Sequence, residues 1–148
     1  MAENIMKEIT MAKLAEAKAD SERMIAEYGF VIHHVFATKE DQDWNIHTHG
    51  LVESYDHPEL QICLGLPQKT AASIFHDIVN RIKVGERFEH GQVDDELLVE
   101  LSIRFVEVNP ELIRLIMPDK DGKYLESEVS GVYKNQYHAY SEQFAIVH

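Results

Sequence analysis

The chain has 148 residues, with 26 acidic against 14 basic for a formal charge of −12, and 45% of it is hydrophobic. That length suits one domain whose core hides roughly 68–70% of the surface an unfolded chain exposes, and the apolar content excludes a disordered chain. The acid excess excludes a broad phosphate-binding face, since nucleic acids and anionic membranes are held by clustered Lys and Arg, and it favours basic partners.

In chain order, the first 28 residues are rich in Ala, Glu, Lys and Met, all good helix formers. Leu14, Ala17, Ser21, Met24, Ile25 and Tyr28 recur at three- and four-residue steps, which predicts a helix with one apolar stripe. Gly29 suits the left-handed position that ends it. Phe30 to Ala37 and Trp44 to Leu51 read as the strands of a hairpin around a polar loop at Thr38 to Gln42. A loop with Asp56, His57 and Pro58 leads into a strand that puts Leu60, Ile62 and Leu64 on one face. Pro67 stands where the next helix starts. In it Ala71, Ile74, Phe75, Ile78, Val79 and Ile82 form a core-facing stripe, and Gly85 closes it.

Further on, Gly91 with Asp94, Asp95 and Glu96 reads as a turn region, and Leu101, Ile103 and Phe105 alternate as a strand. Asn109-Pro110 either caps a brief helical turn or breaks that strand, and Leu112 to Met117 is apolar enough for another. Asp121-Gly122 signals a hairpin turn into Tyr124 and Leu125. Tyr133, Tyr137, Tyr140 and Phe144 stand at helical spacing and predict a C-terminal amphipathic helix, whose stripe suits core packing or an interface such as that of a homo-oligomer. The pattern predicts a single α+β domain, a mostly antiparallel sheet packed against roughly two or three helices. Its parts are an N-terminal helix (1–28), a core (29–125) and a Tyr-rich C-terminal segment (126–148).

Cys63 is the single cysteine and lies in an apolar run, so a buried inert thiol is expected and an internal disulfide is excluded. Met1-Ala2-Glu3-Asn4 lacks the basic-then-apolar pattern of a signal peptide, and no stretch approaches the roughly 20 apolar residues of a membrane span. The expected compartment is the cytoplasm.

Several short motifs in order carry a resemblance. They are Gly29 before the first strand, Thr48-x-Gly50-Leu51, His57 to Leu60 (His-Pro-Glu-Leu), Gly65 to Pro67, Gly85 to Phe88 (Gly-Glu-Arg-Phe), Gly91 to Val93, Arg104 to Val106, and Pro118 to Gly122. From about Tyr28 to Tyr124 the chain thereby resembles a bacterial domain-of-unknown-function family, number four-two-six-two. The resemblance implies a compact α+β domain and no activity, cofactor or functional residue. His47 departs from the family pattern, in which an aromatic residue, commonly Tyr, precedes the Thr.

The densest set of chemistry-bearing residues runs from Trp44 to Gly50, with Glu53, His57 and Glu59 after it. On a strand His47 and His49 share a face, and a hairpin brings His33 or His34 across from His47. Imidazoles gathered beside a carboxylate are the donor set of a Zn²⁺ site, with His47, His49 and His57 as ligands. The spacing matches no specific metal motif, however, so the expectation is no metal and no cofactor, the histidines making separate hydrogen bonds. His57 as a base, oriented by Glu59 or Glu53, is the acid–base alternative. Its structural counterpart is a loop fixed by Pro58 in which His57 caps a backbone carbonyl.

His47-Thr48-His49 lacks the second motif of a two-histidine phosphoesterase, and there is neither a Gly-x-Ser-x-Gly elbow nor a Gly-rich phosphate loop. Asp119-Lys120-Asp121-Gly122 lacks the spacing of a calcium loop and reads as a turn. The acids around Asp94 read as a solvated face, and as the place where a basic partner would dock.

These readings lead to a non-enzymatic acidic binding or regulatory protein. It would be an immunity-type inhibitor of a basic effector, or a defence-related binder of a small molecule in a pocket near Trp44, His47, His49, Glu53, His57 and Glu59. The alternative is a small metal-dependent hydrolase using the histidine cluster.

Overall fold

The computed structural model describes residues 2–36 and 44–139. In chain order the elements are α1 (Ala2–Tyr28), β1 (Val31–Phe36), β2 (Trp44–His49), α2 (Leu51–Tyr55), β3 (Glu59–Ile62), α3 (Gln68–Lys83), β4 (Val93–Leu98), β5 (Leu101–Asn109), β6 (Leu112–Ile116) and α4 (Gly131–Asn135). The six strands form one sheet in the order β1-β2-β3-β6-β5-β4. Every neighbouring pair is antiparallel except β3 with β6, so this is a mixed, mostly antiparallel sheet in a single α+β domain. The parallel pair arises because β6 returns to the middle of the sheet after the crossover through α3 and the β4–β5 hairpin.

The α3 stripe organises the core. Ala71, Ile74, Phe75, Ile78, Val79 and Ile82 are all buried. They form one cluster with Ile46, Leu60, Ile62, Ile103, Phe105, Ile113 and Leu115 of the strands. Alternate strand residues face opposite sides, so the register His33↔His47↔Gln61↔Arg114↔Val106 runs as one row across the face turned away from α3.

Several expectations meet a different structure. Asp94 to Glu96 lie in β4, an edge strand, where a turn region is expected. Acids blunt such an edge against pairing, and Asp94 is buried because its carboxylate meets Arg81 Nη1 at 2.7 Å and accepts from the Glu96 and Leu97 N–H groups. Burial alone would push the Asp94 carboxyl up; the two N–H donors and Arg81 outweigh it and hold it below its ordinary value. Residues 51–55 form α2 where the end of a strand at Leu51 and then a loop are expected, for reasons that lie in Glu59.

The α1 stripe is not a core stripe. Leu14 is 66% exposed and Tyr28 54%, and among the α1 residues whose burial is described only Ser21 and Ile25, in its last turns, are half-buried. Asp119 closes its turn by accepting from the Asp121 and Lys123 N–H groups, but among the described residues no strand follows it. The C-terminal helix is a short one, α4; Tyr140 and Phe144 lie outside the described residues, as does the Thr38 to Gln42 loop. Among the described residues no helix is long and apolar enough to cross a membrane.

Candidate functional site

His57 and Glu59 flank Pro58 at the entry to β3, and both are buried. The Glu59 carboxylate accepts four donors: the Thr48 hydroxyl at 3.0 Å and the backbone N–H groups of Gly50 (3.1 Å), Leu51 (3.0 Å) and Val52 (3.2 Å). Those three amides are the orphan donors at the start of α2, so a remote carboxylate caps the helix and neutralises its positive end. Thr48 Oγ1 in turn accepts the Leu60 N–H at 2.9 Å. Burial pushes the Glu59 carboxyl up, and the four donors oppose that shift. With donors on both oxygens, the ionised form is the one the site satisfies.

His57 is committed in the same way. Nδ1 lies 2.8 Å from the Pro58 carbonyl oxygen, and Nε2 lies 3.0 Å from the Phe88 backbone nitrogen. A carbonyl only accepts and an amide N–H only donates, so Nδ1 carries the hydrogen and the ring is neutral. Burial, with a smaller contribution from Arg87, lowers the His57 pKa below its ordinary value, and the bond to Pro58 partly offsets this.

The other sequence-singled residues divide into two groups. His33 stacks on His47 with ring centroids 5.5 Å apart and planes 7° from parallel, and it meets His49 edge-on at 5.9 Å. It is therefore His33, not His34, that stands opposite His47. His57 does not join them. Parallel rings present faces to each other where a shared ion would need converging nitrogens, and no three His, Cys, Asp or Glu side chains among the described residues are grouped to hold a metal. Trp44 lies at the far end of β2 against Gly65, where an added Cβ would come within 2.7 Å of the indole Nε1.

Sequence reasoning missed a buried polar network on the same sheet face. Asn45 Oδ1 accepts from Gln61 Nε2 at 2.9 Å and from His47 Nδ1 at 3.1 Å. Arg114 Nε donates to Gln61 Oε1 at 2.8 Å, and its two other nitrogens donate to the carbonyls of Gln136 and Ala139, each at 2.8 Å. Burial pulls the Arg114 pKa down, and Cys63 works against that shift. The one sequence signal was an arginine inside the otherwise apolar run Leu112 to Met117.

One concave feature of this region is a groove of about 730 Å³. Among the described residues it is lined by Lys18, Glu22, Ile25 and their neighbours on α1, by His33 of β1 and His49 of β2, and by Glu53 of α2. Two of the residues singled out from the sequence, His49 and Glu53, thus open onto one space, and His47 supports it from behind through His33. Trp44, His57 and Glu59 do not line it.

A family model described as Domain of unknown function (DUF4262) matches residues 24–117, from the last turns of α1 to the end of β6. No curated protein matches the chain, and no solved structure matches it.

Proposed function

We propose that this chain, which belongs to the DUF4262 family, is a non-enzymatic binding protein that seats a small ligand in the groove between α1, β1, β2 and α2. The observation that carries this reading is a division of labour among the polar residues. The most enzyme-like pair, His57 and Glu59, is spent inside the fold, with both imidazole nitrogens and both carboxylate oxygens engaged. His33, His49 and Glu53 instead border an open space of about 730 Å³, within the usual size of a small-molecule site. A hydrolase built on His57 would have to give up a buried amide and a buried carbonyl to free the ring.

A concave groove favours a small ligand over the flat docking face of an inhibitor of a basic effector, while the charge of −12 suits basic character in either. Residence in the cytoplasm belongs to the same reading, supported by a sequence with a single cysteine, the buried Cys63, and so no internal disulfide. The test is native mass spectrometry of the protein purified from its own source, followed by NMR of the histidine rings with the recovered compound. A stoichiometric small molecule that moves the His33 and His49 signals is expected. Ester or phosphoester turnover that disappears in a His47→Ala, His49→Ala double variant would overturn the proposal.

A further inference from the structure

We infer that residues 84–92, the connection from α3 to β4, are a pH-sensitive strap, held shut by a neutral His57 ring and released when that ring takes up a proton. The device is independent of the groove.

From Lys83 to Gly91 every residue is exposed except Phe88, which is 1% exposed where Val84 is 81%. The Phe88 ring enters the core, with its centroid 4.9 Å from that of Phe105, and the Arg81 guanidinium lies 4.9 Å from it. The Phe88 backbone N–H donates to His57 Nε2 at 3.0 Å. Main chain secures the two ends: the Gly85 and Glu86 N–H groups donate to the Ile82 and Arg81 carbonyls, the Gly91 N–H donates to the Phe105 carbonyl, and the Phe105 N–H donates to the Gln92 carbonyl. Gly85 (φ +102) and Gly91 (φ +84) flank the middle with open space around them, as suits positions that absorb a hinge motion. Two further ties are exposed: Arg87 Nη1 donates to the Tyr55 carbonyl at 3.5 Å, and His90 Nδ1 accepts the Glu107 N–H at 2.9 Å. One aromatic ring and one imidazole therefore form the buried anchor of the strap.

That anchor exists in one protonation state. Nδ1 of His57 is committed to the Pro58 carbonyl, so Nε2 has to stay bare to receive the Phe88 N–H. A proton on Nε2 sets donor against donor and places a charge on a ring that is 1% exposed. Arg87, on the strap itself, adds a cation that disfavours the charged ring. Glu59 spends both oxygens on Thr48 and the α2 amides. Beyond Phe88, Arg81 is matched by Glu86 and Asp94. Asp56 is exposed at the end of α2, and Glu111, whose carbonyl accepts the Glu59 N–H, is exposed between β5 and β6. Swinging the strap out gives the ring water, relieves the opposed donors and uncovers the apolar seat that Phe88 fills against Phe105.

The experiment is amide hydrogen exchange of the full chain by NMR, from about pH 7.5 to 5, expressed as protection factors so that the intrinsic effect of pH cancels. In the wild type, Phe88 protection is expected to fall by up to about tenfold per pH unit below 6.5, the slope of one proton. Its urea dependence should be far shallower than that of Ile78 in α3, whose amide opens with the whole domain. His57→Gln keeps a donor and an acceptor but does not titrate, and there the Phe88 protection factor should stay level; in His90→Gln it should fall as in the wild type. A pH response that survives in His57→Gln, or disappears in His90→Gln, would overturn the assignment to His57. If Phe88 and Ile78 share one urea slope in the wild type, a measurement that needs no variant, the connection opens only with the fold and is no strap.

Discussion

A single carboxylate decides how the chain turns between β2 and β3. Glu59 holds the Thr48 hydroxyl and the amides of Gly50, Leu51 and Val52, so replacing it leaves buried donors unpaired. Glu59→Gln keeps the size but offers one acceptor oxygen for four donors and turns an N–H₂ toward amides; it is expected to cost about 2–4 kcal/mol in urea unfolding. A loss below about half a kcal/mol would show that water satisfies those donors. For His57 the sign follows from its lowered pKa. The folded protein keeps the ring neutral while the unfolded chain protonates it near the ordinary value of 6.5. Its contribution is complete above about pH 6.5 and is lost as the pH falls from there toward the folded-state pKa. Stability measured between pH 7.5 and 5 should therefore drop more steeply in the wild type than in His57→Gln. At this scale the motif His-Pro-Glu-Leu was legible as something fixed in place, including a histidine that caps a carbonyl. That Glu59 would cap α2 was not legible, because the three amides it serves carry no side-chain signature.

Among the elements, α3 was read almost residue for residue, since a stripe at helical period with a proline before it and a glycine after it leaves little choice. Ile78→Ala should cost about 2–5 kcal/mol by denaturant unfolding, as Ile78 is fully buried in the central cluster. The edge strand β4 was misread because three consecutive acids look like a turn until Arg81 is known to stand over Asp94; ion pairs between distant elements leave no periodic trace. Between β2 and α2 the backbone itself is constrained. Gly50 has φ +117, and a Cβ there would lie 2.8 Å from the Gly29 carbonyl oxygen, at the point where the end of α1 crosses the start of α2. Gly50→Ala therefore combines a backbone penalty with a clash against main chain that has nowhere to give. It should cost about 2–4 kcal/mol and loosen the docking of α1, seen as faster amide exchange at Ile25 and Tyr28. The Thr-x-Gly-Leu motif was visible in the sequence, but the crossing that demands its glycine was not.

At the level of the whole molecule, the sheet has two faces with different logic. The α3 face is an apolar core that alternation predicts. The other carries the row from His33 to Arg114 and is closed over β6 by the segment that follows it. Gln136 bonds both the N–H and the C=O of Met117, Arg104 donates to the Tyr137 hydroxyl at 3.2 Å, and Tyr137 donates to the Tyr124 carbonyl. Of the tyrosine stripe, Tyr137 is the member whose hydroxyl is engaged among the described residues. The stripe did not foretell that polar groups would hold the segment up to Ala139, because an arginine with no carboxylate partner among the described residues is one that sequence rules place at the surface. Arg114 is 2% exposed and its guanidinium rests on one amide oxygen and two carbonyls. Breaking such a buried charge network costs about 3–5 kcal/mol where the remaining partners cannot reach water.

Arg114→Met fills the same volume but strands Gln61 and releases the carbonyls of Gln136 and Ala139. Amide exchange in residues 131–139 should then rise toward that of an unprotected chain. The amides of α3, which depend on the opposite face, should keep their protection relative to the global stability of the variant. Uniform loss in both regions would mean that the two faces unfold as one unit, and unchanged exchange in the tail would mean that Gln136 and Tyr137 hold it without the arginine.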